Sequence, residues 1–216
     1  MNYSPRSSSS PKPRRPAALS ARDADRIPGD VDPATRGEMA HTTASIIVNG
    51  ARSAEDPEIV DRLIRLVEIE GLDTIAGLWA DAAPNTLPGA LWRLYVLREL
   101  VRRDPENITR RYRLGIVAAP VAEAIAGAAA IPGPMDLRRV VDAVLTGVYT
   151  GDLSIALERA AAFCRILALG GAMDADAAEL VAEHHARHLT FAAATMDRTA
   201  DELDDAARLW RIGRLE

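Results

Sequence analysis

The sequence predicts an all-α protein: a compact multi-helix bundle or array of about eight helices behind a disordered N-terminal tail. Three observations predict it. Helix-start signatures recur along the chain, and apolar residues follow them at helical spacing. Alanine is abundant while aromatic residues make up only 4 % of the 216 residues, a mixture suited to closely packed helices. The best strand candidate, Ile46-Ile47-Val48 before Asn49-Gly50, has no evident partner.

Residues 1–40 read as the tail. Ser7 to Ser10 is a serine run, and Pro5, Pro11, Pro13, Pro16, Pro28 and Pro33 interrupt any regular element. Such a segment buries too little surface to offset its ordering entropy. Residues 1–36 hold seven basic and four acidic residues, a net +3, so with −5 overall the remainder carries −8. Pro11-Lys12-Pro13-Arg14-Arg15-Pro16 reads as a solvated tail or as a polyproline ligand. Residues 41–216 then form a single all-α domain, 48 % of the chain being apolar.

Within that domain Asp56-Pro57-Glu58 is an N-cap, a first-turn proline and a first-turn acid. Val60, Leu63, Ile64 and Val67 continue the helix to Gly71, and Asp73 can cap a shorter one carrying Ile75, Leu78 and Trp79. Leu87-Pro88-Gly89 opens a stronger helix, and Asp104-Pro105-Glu106 repeats the capping device. Pro120 can begin an Ala-rich helix ending at Ile131-Pro132-Gly133-Pro134, and Asp136 caps another. After Gly151-Asp152 comes a helix apolar nearly all round, which belongs at the centre of a bundle. Gly170-Gly171 is expected to end it, a long helix to run from about Asp174 to Thr195, and the capping box Thr199-Ala200-Asp201-Glu202 to start the last. Asp56-Pro57-Glu58 with Ile75-Ala76-Gly77 is echoed by Asp104-Pro105-Glu106 with Ile125-Ala126-Gly127, a pattern expected of helix-pair repeats and also of chance in an Ala-rich chain.

Two clusters are candidates for chemistry. The first is Glu183-His184-His185-Ala186-Arg187-His188. On a wheel of about 100° per residue with Leu180 at zero, His184, His185 and His188 fall near 40°, 140° and 80°. Leu180, Val181, Leu189, Phe191, Ala192 and Met196 share that arc, so the imidazoles are expected to point where the apolar residues point. Three readings stand: hydrogen-bonded core histidines, a metal site with His184 and His188 chelating one ion at i and i+4, or a pH-sensitive partner surface. The metal reading needs a third ligand from elsewhere, and both His-Glu-x-x-His and Glu-x-x-His are missing.

The second cluster is Arg93, Arg98, Arg102, Arg103, Arg110, Arg111 and Arg113, which gives segment 93–113 a net +4 against Glu99, Asp104 and Glu106. Guanidinium pairs with phosphate, and Trp92, Tyr95 and Tyr112 supply stacking groups, so this segment is a candidate anion or nucleic-acid surface. The alternative is a solvated helix face with internal ion pairs, and the −8 balance of the domain favours it. Cys164 is the only cysteine and sits in a helical apolar pattern as a small core residue, which leaves no internal disulfide and no cysteine-rich zinc site. Lys12 is the only lysine, so the domain has no phosphate-loop or Schiff-base lysine. No Gly-x-Gly-x-x-Gly, phosphate loop or Gly-x-Ser-x-Gly elbow occurs, and no cofactor is implied. No apolar run is long enough to span a bilayer, and no apolar region fit for a signal follows Arg14-Arg15, so a cytoplasmic location is expected.

His41-Thr42-Thr43-Ala44-Ser45, Val48-Asn49-Gly50, Ala54-Glu55-Asp56-Pro57, Leu78-Trp79-Ala80-Asp81, Leu87 to Tyr95 and Ala207-Arg208-Leu209-Trp210-Arg211 resemble segments of a group of small actinobacterial helical proteins. Members of that group often carry names borrowed from an RNA polymerase β subunit. The resemblance implies a transcription-associated role at most and supplies no catalytic residues. Three functions follow as expectations: a non-enzymatic helical interaction or regulatory protein with a protein partner, RNA polymerase among the candidates; a transcription- or nucleic-acid-associated protein using 93–113; and a metal-dependent enzyme centred on His184, His185 and His188.

Overall fold

The computed structural model describes residues 32–53, 57–119, 125–126, 133–179 and 183–215. The chain divides into two units, Met1–Asp32 and Pro33–Glu216, and all the helices below belong to the second. They are α1 (Pro33–Ser53), α2 (Pro57–Ile64), α3 (Leu66–Glu70), α4 (Leu72–Trp79), α5 (Leu87–Arg103), α6 (Pro105–Ile116), α7 (Pro134–Thr150), α8 (Leu153–Glu179) and α9 (Glu183–Arg211). The described residues contain no strand, and the all-α expectation holds. No described helix is long and apolar enough to cross a membrane. The expected tail up to residue 31, the Asp56 cap and the Ala-rich helix from Pro120 lie outside the described residues, apart from Ile125 and Ala126.

The helical unit starts at Pro33 rather than near residue 41. Pro33 is the first helical residue, where a fixed φ and a missing amide cost nothing. A proline read as a breaker is therefore an initiator. Ile46-Ile47-Val48 lies inside this helix, which buries the narrow stripe Ala40, Ala44, Val48 and Ala51. Small side chains at this spacing let α1 lie close on its neighbours.

Three other boundaries differ from expectation, each for a local reason. The helix expected to run from Pro57 to Gly71 breaks at Arg65, and Gly71, at φ +88°, separates α3 from α4. Asp136 is not an N-cap but the third residue of α7, where its carboxylate accepts from the Gly133 amide at 2.9 Å. The third is larger. α8 runs straight through Gly170-Gly171, and α9 runs through Thr199. The Thr199 hydroxyl donates to the Thr195 carbonyl one turn back, at 2.9 Å, so the capping box does not form.

Gly170 has a packing role instead. A β-carbon on Gly170 would lie 1.8 Å from the Arg111 carbonyl oxygen, and one on Gly115 would lie 1.9 Å from that of Ile166. α6 and α8 therefore cross backbone to backbone, which only glycine permits at those two positions. The long helices α8 and α9 run antiparallel: Glu158 meets Arg211, Arg165 meets Asp204, and Gly171 faces Ala193.

The core sits around α8, whose residues from Leu153 to Gly171 are buried on almost every side, as a central helix requires. Tyr112 packs on Phe163 at 5.0 Å between ring centroids. Under α1 and α4, Trp79 stacks on Tyr95 at 6.0 Å and donates its indole N–H to Thr43 Oγ1 at 3.1 Å. The Tyr95 hydroxyl donates to the Leu63 carbonyl at 2.6 Å and shares a hydrogen bond with that of Tyr149. These polar tips are thereby satisfied inside an apolar core. Burial pushes the Tyr95 phenol up to about 12 and the Cys164 thiol, fully enclosed, also to about 12. Cys164 is thus a core side chain, inert as a nucleophile.

Candidate functional site

The arginine cluster turns inward. Arg98, on α5, is only 9 % exposed; its Nη1 donates to Glu68 Oε1 and its Nε to Asp142 Oδ1, each at 2.7 Å. One guanidinium thus ties α5 to α3 and α7. Arg102 grips Glu99 through two hydrogen bonds of 2.8 Å, and Arg103 donates to the same carboxylate at 2.5 Å. Those donors, Arg102 before Arg103, draw the Glu99 carboxyl down to about 2 although its burial works in the other direction. Arg110 and Arg111, on α6, both reach Asp174 on α8 and hold its carboxyl below the usual range, Arg110 contributing most. Arg93 donates to Glu202 at 2.6 Å and to the Gly89 carbonyl at 2.8 Å. Arg113 is exposed on α6. Arg93, Arg98, Arg110 and Arg111 therefore join helices through carboxylates, while Arg102 and Arg103 hold Glu99 within their own helix.

The histidines turn outward. His184, His185 and His188 are all exposed, and α9 buries Ala186, Leu189, Ala193, Ala200 and Leu203 instead. Phe191, which anchored the expected apolar arc, is itself 69 % exposed. In an Ala-rich helix the buried stripe is written in alanine, and a wheel phased on the largest apolar side chains turns to the wrong face. Among the described residues no group of three or more His, Cys, Asp or Glu side chains converges to hold a metal.

A groove that neither cluster touches is a further candidate site. It has a volume of about 640 Å³ and lies between α1, the start of α5 and the C-terminal end of α9. One wall is a polar stripe on α1: Glu38, His41, Thr42, Ser45 and Asn49. Spacings of three, one, three and four residues place all five on one face of the helix. From Glu38 to Asn49 the stripe is about 16 Å long at about 1.5 Å per residue. None of these five side chains hydrogen-bonds to another described residue. The floor and opposite wall are Val48, Leu87, Trp210 and Leu215.

The groove has a built rim. Gly213, at φ +66°, ends α9 in a Schellman motif: the Arg214 amide donates to the Leu209 carbonyl at 2.8 Å and the Gly213 amide to that of Trp210 at 3.0 Å. The turn sends Leu215 back to a buried position against the core. Arg52 closes one end. Its guanidinium lies 5.1 Å from the Trp210 ring centre and donates to the carbonyls of Gly151, at 3.2 Å, and Val148, at 3.4 Å. At the other end Arg36 pairs with Asp81 at 3.3 Å. At the mouth of α5, Thr86 caps the helix by accepting from the Gly89 amide at 3.2 Å. A β-carbon on Gly89 would lie 1.9 Å from the Ala83 carbonyl oxygen.

Sequence reading missed this groove because it assigned Glu38 to the tail and thereby cut α1 short. The signal was present as a polar stripe repeating every three to four residues opposite Ala40, Ala44 and Val48. Comparison with family models, curated proteins and solved structures finds no match for this chain.

Proposed function

We propose that this chain is a non-enzymatic, cytoplasmic helical interaction or regulatory protein that receives a protein partner in the groove between α1 and the end of α9. The observation that carries the reading is the α1 stripe. Five polar side chains without an internal hydrogen bond among the described residues face an indole across an open groove. Tryptophan beside ready donors and acceptors is the composition of an interaction hot spot. A groove running three turns along a helix suits an extended or helical segment of another protein. His41, Thr42, Ser45, Val48, Asn49, Leu87 and Trp210 also fall in the segments that carry the actinobacterial resemblance, and RNA polymerase is the partner that resemblance favours.

The test is affinity capture from native lysate, read by mass spectrometry, with wild type, Ser45→Arg, Trp210→Ala and the distant His184→Ala as baits. A protein held by wild type and His184→Ala but lost from both groove variants is expected. A captured set that ignores the groove variants removes the reading. Nucleic-acid association through 93–113 draws less support, because Arg93, Arg98, Arg102, Arg103, Arg110 and Arg111 already engage carboxylates.

A further inference from the structure

The first turns of α9 carry a pair of side chains that the groove does not use. His184 and His188 lie four residues apart, and both are exposed. Neither imidazole hydrogen-bonds to another described residue. Side chains at this spacing stand one above the other, with β-carbons roughly 5–6 Å apart. The neighbouring row shows that such pairs meet on this turn: Arg187 donates to Glu183, also four residues away. Ala186 and Leu189, both buried, pin the same turns to the core, so the two imidazoles stand on a helix fixed by packing.

The surroundings are negative. Asp176 and Glu179 of α8 line the adjoining cleft together with Glu183 and Arg187, three acids against one base. That field offsets the positive end of the α9 dipole, which by itself works against a cation in the first turns.

We infer that His184 and His188 chelate one borderline-soft divalent transition-metal ion, copper(II) ahead of zinc, with water completing its shell. The donor set selects the class. Neutral imidazole nitrogens suit copper, nickel and zinc, whereas magnesium and calcium take oxygen ligands. Copper leads because it stands highest in the Irving–Williams order and its tetragonal geometry accepts two adjacent nitrogens. Bonds of about 2 Å from metal to nitrogen bring two rings on one helical row onto a common ion. His185 also neighbours His188, but it stands about 60° round the helix from it, against about 40° for His184. Glu183 is already taken by Arg187. Two protein ligands make an exchangeable site, since a closed structural zinc site takes four and a catalytic one three. The groove contributes nothing to this pair, so either outcome leaves the groove reading untouched.

The experiment is calorimetric titration of the untagged full chain with copper(II), zinc and magnesium, joined to the electron paramagnetic resonance spectrum of the copper-loaded chain. One tight copper site per chain is expected, with two nitrogen ligands in the spectrum, weaker zinc binding and no magnesium uptake. His184→Ala and His188→Ala are each expected to weaken copper binding about a hundredfold, the gain that joining two ligands confers. His185→Ala and His41→Ala are expected to leave it unchanged. The three α9 histidines are exposed, so these variants keep the fold, which circular dichroism checks. The proposal is overturned if His184→Ala or His188→Ala binds copper as tightly as wild type, if His185→Ala weakens binding as much as they do, if magnesium competes with copper, or if no copper binds.

Discussion

The arginine belt of α5 and α6 and the polar stripe of α1 use polar side chains in opposite ways. By sequence the belt is conspicuous and the stripe is not. In the fold the belt is consumed internally: Arg98 fastens α5 to Glu68 of α3 and Asp142 of α7, Arg102 and Arg103 hold Glu99, and Arg110 and Arg111 fasten α6 to Asp174 of α8. The stripe has milder residues with no such engagements and stands open in a groove. Availability, not charge density, separates the two, and availability depends on what tertiary structure brings opposite each side chain. The contrast has energetic consequences. Changes in the belt should cost stability, whereas changes in the stripe should cost binding and little else.

The largest effect is expected at the seat of the belt. Gly115→Val or Gly170→Val places a branched side chain where the α6 and α8 backbones touch. The clash is with main chain that has no side-chain freedom to yield, so a loss of about 3 kcal/mol or more is expected by denaturant titration. A loss under about 1 kcal/mol would mean that α6 is free to move off α8 and that Arg110 and Arg111 are not held there.

Next come the carboxylates. Glu99→Gln is expected to cost about 1–3 kcal/mol at pH 7, since it weakens two charge-assisted contacts in a buried position. The pH dependence has a definite sign. A carboxyl with a folded pKa below its ordinary value stabilises the fold fully above the ordinary value and loses that contribution as pH falls through the folded one. For Glu99 the window runs from 4.5 down to about 2. The stability gap between wild type and Glu99→Gln should therefore be flat above about pH 5 and close as pH approaches 2. Asp174, held low by Arg110 and then Arg111, should lose its contribution in the same direction below its ordinary 3.8.

These expectations also mark what the sequence could convey. Helix content, the central α8, the core role of Cys164 and the α5 start at Leu87 were legible, because periodicity and proline position report local geometry directly. The path of the chain through Gly170-Gly171 was not. A glycine pair that ends a helix and one that admits a neighbouring backbone look alike until Arg111 and Gly115 are seen opposite it. Thr199-Ala200-Asp201-Glu202 misled in the same way: the residues suit a cap, but α9 continues because Ala200, Leu203, Ala206 and Ala207 keep burying against its neighbours. The histidine arc failed on phase, since Ala186 and Ala193 rather than Phe191 define the buried face. Pairing was the least legible property of all. No spacing rule links Arg98 to Glu68 and Asp142, or Arg110 to Asp174, across dozens of residues.

A smaller effect tests the rim of the groove. Gly213→Ala places a β-carbon at φ +66°, a left-handed conformation that costs an L-residue about 1 kcal/mol. The Schellman turn should loosen, freeing Leu215 and altering the setting of Trp210. Fluorescence in a Trp92→Phe background is the fitting readout: Trp79 is buried in the core and Trp92, the other partly buried indole, is removed, so a change in quencher accessibility reports Trp210 and the groove rather than global unfolding. An unchanged quenching profile would mean that the turn does not set the groove.

The smallest effect is the most discriminating for the contrast between belt and stripe. His41→Ala, Thr42→Ala and Asn49→Ala remove side chains that make no hydrogen bond to any described residue, so each should change stability by no more than about 0.5 kcal/mol. The triple variant should be close to additive, because a stripe without internal partners has no network to couple its members. In a belt set such as Glu99→Gln with Arg102→Gln and Arg103→Gln, the losses should fall well short of additive, since all three changes act on one cluster. Denaturant titrations of the two triples and their component singles measure both. If the stripe shows strong coupling and the belt none, this division of labour is reversed, and the groove side chains are structural while the arginines are the groups left free to act.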